Sequence, residues 1–290
     1  MNAPKKHLPA LLLLLLLVAA PAHAEEENGN FVSLGVSHVG EADVEDNQGG
    51  YSVTSVGLAG RFAFLSAGYE LSSYSWNDKN SVPFANGGSP WDTLHNLTLG
   101  ADYGDTISGD WSYFVYGGVN SAFEKEMDDS FGATLLGGIS YDLGEGWKAK
   151  AGLGGHTHQV RNTLFPVLGL SWHGTSSGGL DRYVEIGLLN AEAGYAFTKS
   201  LMLRAAWDSK GDFYRLADDS DVHEEGYADI SDTNLGLYLD WKAIENFKFT
   251  FGAEYRFDRE ITIYDSNGDK LDKYDIDSAP AATVSVDWLF

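Results

Sequence analysis

Between residues 247 and 258 every second side chain is apolar: Phe247, Phe249, Phe251, Ala253, Tyr255 and Phe257 alternate with Lys248, Thr250, Gly252, Glu254, Arg256 and Asp258. A repeat of two belongs to an extended strand, whose successive side chains leave on opposite faces, and no helix tolerates it. The pattern recurs at Leu235, Leu237, Leu239 and Trp241, at Leu201, Leu203, Ala205 and Trp207, and at Trp147, Ala149, Ala151 and Leu153. It also closes the chain, where Ala282, Val284, Val286, Trp288 and Phe290 alternate with Thr283, Ser285 and Asp287. Strand is therefore the expected state almost throughout, with one greasy and one wet face to each segment.

The wet face keeps the average polar while the apolar face is rich. Aromatic residues make up 13% of the chain, yet the mean hydropathy is −0.21. Past residue 24 no continuous apolar run is long enough to span a bilayer as a helix. This combination predicts an all-β, transmembrane, antiparallel up-and-down barrel, in which alternate residues face lipid and lumen. Lys5 and Lys6, the apolar run over 11–18 and the triplet Ala22-His23-Ala24 read as a cleaved signal peptide over 1–24. Residues 25–290 are then one barrel domain, with no segment that reads as a separate plug or linker. With no cysteine, disulfides and a lipid-modified thiol are absent. A formal charge of −23 argues against nucleic acid as a partner, because binding it needs a basic footprint.

Connection lengths orient the barrel. Short turns at 144–146, 198–199 and 242–245 alternate with longer, acidic loops at 41–50, 77–91, 124–129, 209–231 and 265–272. Such barrels place short turns in the periplasm and long loops outside, so both termini are expected in the periplasm and the strand number is even. Around residue 190 the apolar positions change from even (Val184, Ile186, Leu188) to odd (Ala193, Tyr195, Phe197). A tight hairpin there gives 14 strands, and one bulged strand together with other mergers gives 12.

The lumen-facing positions hold the candidate functional residues: Glu70, Lys148, Lys150, Glu192, Arg204, Asp240, Lys248, Glu254 and Arg256. A wet channel lined by both signs would tune ion selectivity. The same residues, paired across neighbouring strands, would instead fill a small barrel. His156 and His158 share a face but lack an identifiable third ligand for zinc. The triplet Ser171-Trp172-His173 puts a serine and a histidine on one side, and is read as a polar lumen face near a strand end rather than a catalytic pair; Ser37 and His38 face opposite sides. Asp265-Ser266-Asn267-Gly268-Asp269 has its glycine too early for an EF-hand and reads as a turn. The acids over 218–225 suit loose binding of a divalent cation. No catalytic residue and no cofactor is expected.

The terminal aromatic stripe ending in Trp288 and Phe290 resembles the end signature of bacterial outer-membrane barrels, which the barrel assembly machinery reads. Pro166-Val167-Leu168-Gly169-Leu170-Ser171-Trp172, then Leu188-Leu189-Asn190-Ala191-Glu192-Ala193-Gly194-Tyr195, Trp207-Asp208 and Tyr214-Arg215-Leu216 resemble an uncharacterised domain-of-unknown-function family of porin-like outer-membrane barrels. The resemblance covers the middle third of the chain and implies a barrel and a location in the Gram-negative outer membrane, against lipid and lipopolysaccharide, but no activity. Two functions remain open: a narrow passive channel for small solutes or ions, or a non-conducting barrel whose acidic loops bind divalent cations, lipopolysaccharide or a protein.

Overall fold

The computed structural model describes residues 29–45, 48–85 and 87–290. The leader expected over 1–24 lies outside them. The alternating segments become β1 (Phe31–Asp43), β2 (Gly50–Phe62), β3 (Leu65–Asn77), β4 (Thr93–Ser108), β5 (Trp111–Phe123), β6 (Phe131–Gly144), β7 (Trp147–His158) and β8 (Asn162–Thr175). They continue as β9 (Asp181–Gly187), β10 (Asn190–Thr198), β11 (Leu201–Arg215), β12 (Tyr227–Ile244), β13 (Phe247–Tyr264), β14 (Lys270–Ile276) and β15 (Ala279–Leu289).

Each strand from β1 to β13 pairs antiparallel with the next, and β15 returns to β1 in the register Phe31↔Leu289 to Val39↔Ala281, so the sheet is closed. β14 and β15 both pair with β13 and are two halves of one wall strand, interrupted at 277–278. The wall therefore has 14 strands. The phase change near residue 190 is resolved as a hairpin: β9 and β10 pair directly, turning at Leu188 and Leu189. Closure leaves no open edge at β1 or β15, where lipid could not satisfy one.

Alternation determines the faces. Leu135, Leu153, Leu168, Leu203, Leu237, Phe251 and Val284 are exposed on the outer surface, where a soluble protein would present polar side chains. At the end bearing the termini, aromatic pairs form a girdle: Trp111 with Tyr141, Trp147 with Trp172, Trp241 with Phe249 and Trp288 with Phe290, at centroid separations of 4.7, 6.3, 5.8 and 4.8 Å. Rings with an apolar body and a polar tip belong at a membrane interface. Turns at this end are tight; in the one after β6, Gly146 has φ +85° and a side chain would collide with the His173 carbonyl.

The opposite end departs from the expected open loops. The segment read as an acidic loop over 209–231 is mostly strand, because β11 runs to Arg215 and β12 starts at Tyr227; likewise β14 takes up 270–276. Residues 78–85 and 87–92 fold inward, burying Val82, Phe84 and Trp91 against Trp76, Tyr51, Leu94, Leu216, Ile261, Ile263 and Ile276. Trp76 Nε1 donates to the Trp91 carbonyl at 2.6 Å. No separate plug domain exists among the described residues, but the loops themselves make an apolar cork. Their apolar residues outweigh their acidity because burying each large side chain is worth about 1.5–3 kcal/mol.

Candidate functional site

Inside the barrel, charge is concentrated on the wall formed by β10 to β13. Arg204, on β11, lies between two carboxylates supplied by the flanking strands. Its Nη1 donates to Glu192 Oε2 at 3.0 Å, and its Nε and Nη2 donate to Asp240 at 2.5 and 3.2 Å. Tyr183 donates to the other oxygen of Glu192, Thr250 donates to Asp240 Oδ1 at 2.8 Å, and Tyr238 lies under the guanidinium at 5.1 Å. Arg256 repeats the motif on β13, donating to Glu254 at 2.7 Å and to both oxygens of Asp232 at 3.1 and 3.2 Å. The forked, planar guanidinium suits this double carboxylate recognition.

Both clusters are almost shielded from solvent: Arg204, Glu192 and Asp240 side chains are 11, 8 and 9% exposed. Removing charge from water costs several kcal/mol per ion, which close opposite charge and full hydrogen bonding offset. The register makes this pairing, since it brings inward positions of adjacent strands side by side: Gly194↔Arg204↔Tyr238 and Met202↔Asp240↔Thr250.

The nine sequence candidates separate into groups. Glu192, Arg204 and Asp240 form one cluster, and Glu254 and Arg256 belong to the other. Lys248 pairs with Asp287 at 3.1 Å, directly opposite it on β15. Glu70 is away on β3, in register with Gly57 and Asn96, and accepts the Ser72 hydroxyl at 3.2 Å. Lys148 and Lys150 are on β7, in register with Asp142 and Ser140. Trp288 and Phe290 are on the outer surface of the closing strand, and the Phe290 amide donates to the Asn30 carbonyl at 3.0 Å.

Sequence reasoning missed Asp232, one residue past the segment read as a loop, and two tyrosines: Tyr183, whose hydroxyl donates to Glu192, and Tyr238, whose ring lies under Arg204. Asp258 was expected on the inward face of β13. It occupies a left-handed bulge, φ 47°, and is exposed; the extra residue shifts the phase so that Arg259 turns inward to the Tyr51 hydroxyl at 3.2 Å.

The wall from β5 to β8 is different. Its inward positions include Phe114, Leu136, Gly138, Gly152, Gly154, Phe165 and Val167. A methyl group on Gly154 would overlap the Phe165 ring, and one on Gly138 would meet Phe114, so glycine opens room for these rings against the sheet. Above them His158 stacks on Phe213 at 5.1 Å, and His156 Nδ1 is 2.9 Å from Thr134 Oγ1. His173 stacks on Tyr183 at 5.7 Å, with Nε2 3.2 Å from Glu185, while Ser171 is buried on the same face.

The mouth is stitched by loop contacts. The Glu124 amide donates to the Arg215 carbonyl at 2.9 Å, the Ala217 amide donates to Glu124 at 2.9 Å, and Lys125 pairs with Asp219 at 2.6 Å. Burial pushes the Glu124 carboxyl above its ordinary range, partly offset by the Ala217 amide. Lys125 holds the Asp219 carboxyl below the usual range. Asp218 pairs with Arg215 at 2.7 Å. Asp265 Oδ1 accepts the amides of Asn267 and Asp269 at 2.9 and 2.8 Å, the turn expected there.

No family model matches the chain, and no curated protein does. Solved structures do. A KdgM porin in complex with disordered oligogalacturonate is 10% identical, over 89% of this chain and 99% of that one, with a TM-score of 0.37. An outer membrane channel from Pseudomonas putida F1 is 8% identical over 94% and 100%, with a TM-score of 0.45. The Pseudomonas putida toluene transporter TodX is 10% identical over 91% and 90%, with a TM-score of 0.32. This chain has the fold of an outer-membrane β-barrel, closed, antiparallel and even in strand number.

Proposed function

We propose that the chain is a narrow passive channel of the outer membrane for small solutes or ions, with its termini and tight turns in the periplasm and with no catalytic step. One observation carries this reading: the ion pairs of the two arginine clusters run along the wall between neighbouring strands, Arg204 to Glu192 and Asp240, and Arg256 to Asp232. Charge arranged in that way lines a passage. Because Arg204 and Arg256 are each held between two carboxylates, neither supplies the basic constriction that would favour anions. With a net charge of −23, weak cation preference follows, fading at high salt as the Debye length contracts.

Planar-bilayer recording of the purified barrel tests this. Reproducible unitary steps with a reversal potential on the cation side are expected under a salt gradient. Absence of steps rejects the channel, and anion preference rejects the charge argument. The apolar cork favours a second reading, a non-conducting barrel whose outer loops bind a partner. Shortening residues 78–92 separates the two: a channel held closed by its cork gains conductance, and a filled barrel stays silent.

The partners in this reading are outer-membrane lipid and lipopolysaccharide, divalent cations bound loosely along 218–225, and the barrel assembly machinery reading Trp288 and Phe290. Deleting Phe290 is expected to reduce heat-modifiable barrel in the outer membrane. An undiminished amount rejects that role.

A further inference from the structure

The wall is not equally tall all round. β9 and β10 have 7 and 9 residues, whereas β8 and β11 beside them have 14 and 15. β8 pairs with β9 only from Gly169 onward, and β11 pairs with β10 only as far as Asp208. Above the β9–β10 turn the segments 162–168 and 209–213 therefore confront each other with no register joining them. The Ser209 amide donates to the Leu189 carbonyl at 2.9 Å, closing the lower edge of the gap. At its upper edge Arg161 lies over the Phe213 ring at 5.0 Å, and His158 stacks on the same ring. Past Asp208 β11 stays laddered to β12 as far as Arg215, while its other edge has one bridge, from Arg215 to Phe123 of β5 on another part of the barrel.

Three features show that this gap is built at membrane depth. The turn beneath it is Leu188-Leu189, and both side chains are exposed, an apolar tip that belongs in hydrocarbon rather than water. Leu164, on the jamb, is 89% exposed, and Leu153, opposite Pro166 on β7, is 74% exposed, so the lipid-facing belt runs past the gap. The hairpin bond from His158 N to Arg161 O fixes the ladder's phase, so odd residues of β8 bond to β7 while 162, 164 and 166 turn their backbone toward the gap. Proline at 166 removes one donor there.

The remaining backbone groups of Leu164, Gly211 and Phe213 have no ladder partner on that side among the described residues. Unpaired backbone at membrane depth is tolerated only where it lines a wet cavity or is covered by protein. Directly behind the jamb, Phe165 and Val167 continue into the lumen's apolar wall with Leu136 and Phe114, facing the ionic wall across the bore. An apolar belt outside thus meets an apolar stripe inside through a break lined by polar backbone.

We propose that the gap between β8 and β11 is a lateral port, through which small amphipathic molecules dissolved in the outer leaflet enter the lumen. Their apolar part would follow the Phe165 and Leu136 wall and their polar group would face the charged one. The port deepens the channel reading and rests on it, and it gives a role to a barrel whose axial mouth is corked.

The probe is phenylnaphthylamine, an apolar fluorescent amine that brightens on reaching the inner leaflet, added to cells producing the full chain. Uptake is expected to exceed that of cells lacking the barrel. Gly211→Trp and Val167→Trp, from opposite jambs, are expected to abolish the excess while unitary conductance persists; Val284→Trp, on the lipid face elsewhere, leaves uptake unchanged. Since the chain has no cysteine, Gly211→Cys can be folded first and blocked afterwards with a bulky maleimide, which guards against a folding defect. No excess uptake, or uptake indifferent to both jambs and to the maleimide, overturns the port. Joint loss of uptake and conductance overturns it as a route distinct from the axial bore. Uptake through the port without any unitary conductance would reject the ion channel and leave the port standing.

Discussion

The two arcs of the wall, β5 to β8 and β10 to β13, have the same outside and opposite insides. Externally both present the period-two stripe, Leu135 and Leu153 on one, Leu237 and Phe251 on the other. Internally one carries glycines that cradle Phe114 and Phe165, alongside the charged Lys148 and Lys150, and the other carries two arginines, each between two carboxylates. Lipid imposes one rule on every strand, whereas the lumen imposes only local satisfaction. An apolar stripe needs no partners, and a charged cluster must be complete.

Breaking the charged arc should have the largest effect. Arg204→Ala leaves Glu192 and Asp240 facing each other with little solvent, and is expected to destabilise by about 3–5 kcal/mol, seen as a lower urea midpoint in lipid vesicles. Arg204→Ala combined with Glu192→Gln and Asp240→Asn should recover most of that loss. If the single variant is as stable as the parent, the cluster is ornamental.

Next comes the outside face, where the arcs should respond alike. Phe251→Arg is expected to cost about 2–4 kcal/mol near the bilayer midplane, and Leu153→Arg a comparable amount if the belt is continuous. The inward neighbour Thr250 looks from sequence like a mild contrast. It donates to Asp240 inside the Arg204 cluster, so Thr250→Arg disturbs that cluster, and Glu70→Arg, on an inward position exposed to solvent, is the better comparison.

The apolar arc should fail through volume instead of charge. Gly152 packs against the Gly138 backbone so closely that an added Cβ would collide with the Gly137 carbonyl. Gly152→Val is expected to cost about 1–3 kcal/mol by overpacking, with no change in the salt dependence of stability. A strong salt dependence would mean that the arc contains ion pairs that matter.

The smallest effect belongs to the mouth and depends on pH. Because burial raises the Glu124 carboxyl in the folded state, the folded form holds its proton more tightly than the unfolded one. Loop docking is then strongest below the ordinary carboxylate range and weakens as pH rises through the raised value. Glu124→Gln should remove that dependence and slow exchange of the Ala217 amide at neutral pH. Asp219, lowered by Lys125, contributes in the opposite sense, its part being lost on acidification, but the pair is exposed and its effect should be hard to detect. Faster Ala217 exchange in the Gln variant would contradict the burial argument.

Much of the fold was legible because lipid contact writes a period of two into every strand. The faces of β13 below residue 258 and of β15 follow from it directly. The phase change at residue 190 announced the β9–β10 hairpin, though parity alone could not separate it from a bulge. The actual bulge, at Asp258, went unseen because one extra residue in a polar stretch leaves no apolar mark. The cork was hidden for a related reason: Val82, Phe84 and Trp91 lie in an aperiodic, glycine-rich segment, and their burial is decided by Ile261, Ile263 and Ile276, far along the chain. Inward charges could be named, but the choice of partner depends on register, which the sequence leaves free by steps of two.

The pairing of β1 with β15 joins the first described strand to the last, and that has a kinetic consequence. Loop-closure entropy rises only by about 0.6 kcal/mol for each doubling of length, so distance along the chain is a modest thermodynamic obstacle. The difficulty is one of order. Until both terminal strands are in place, every partial sheet has two open edges, and each backbone group on them must find water or a surrogate strand. Folding of this topology should therefore be slow and late-committing, with no half-built barrel stable in lipid and a strong advantage for a catalyst that shelters the edges. The gap beside Leu164 and Gly211 is then a small piece of that unfinished edge, kept open in the mature molecule.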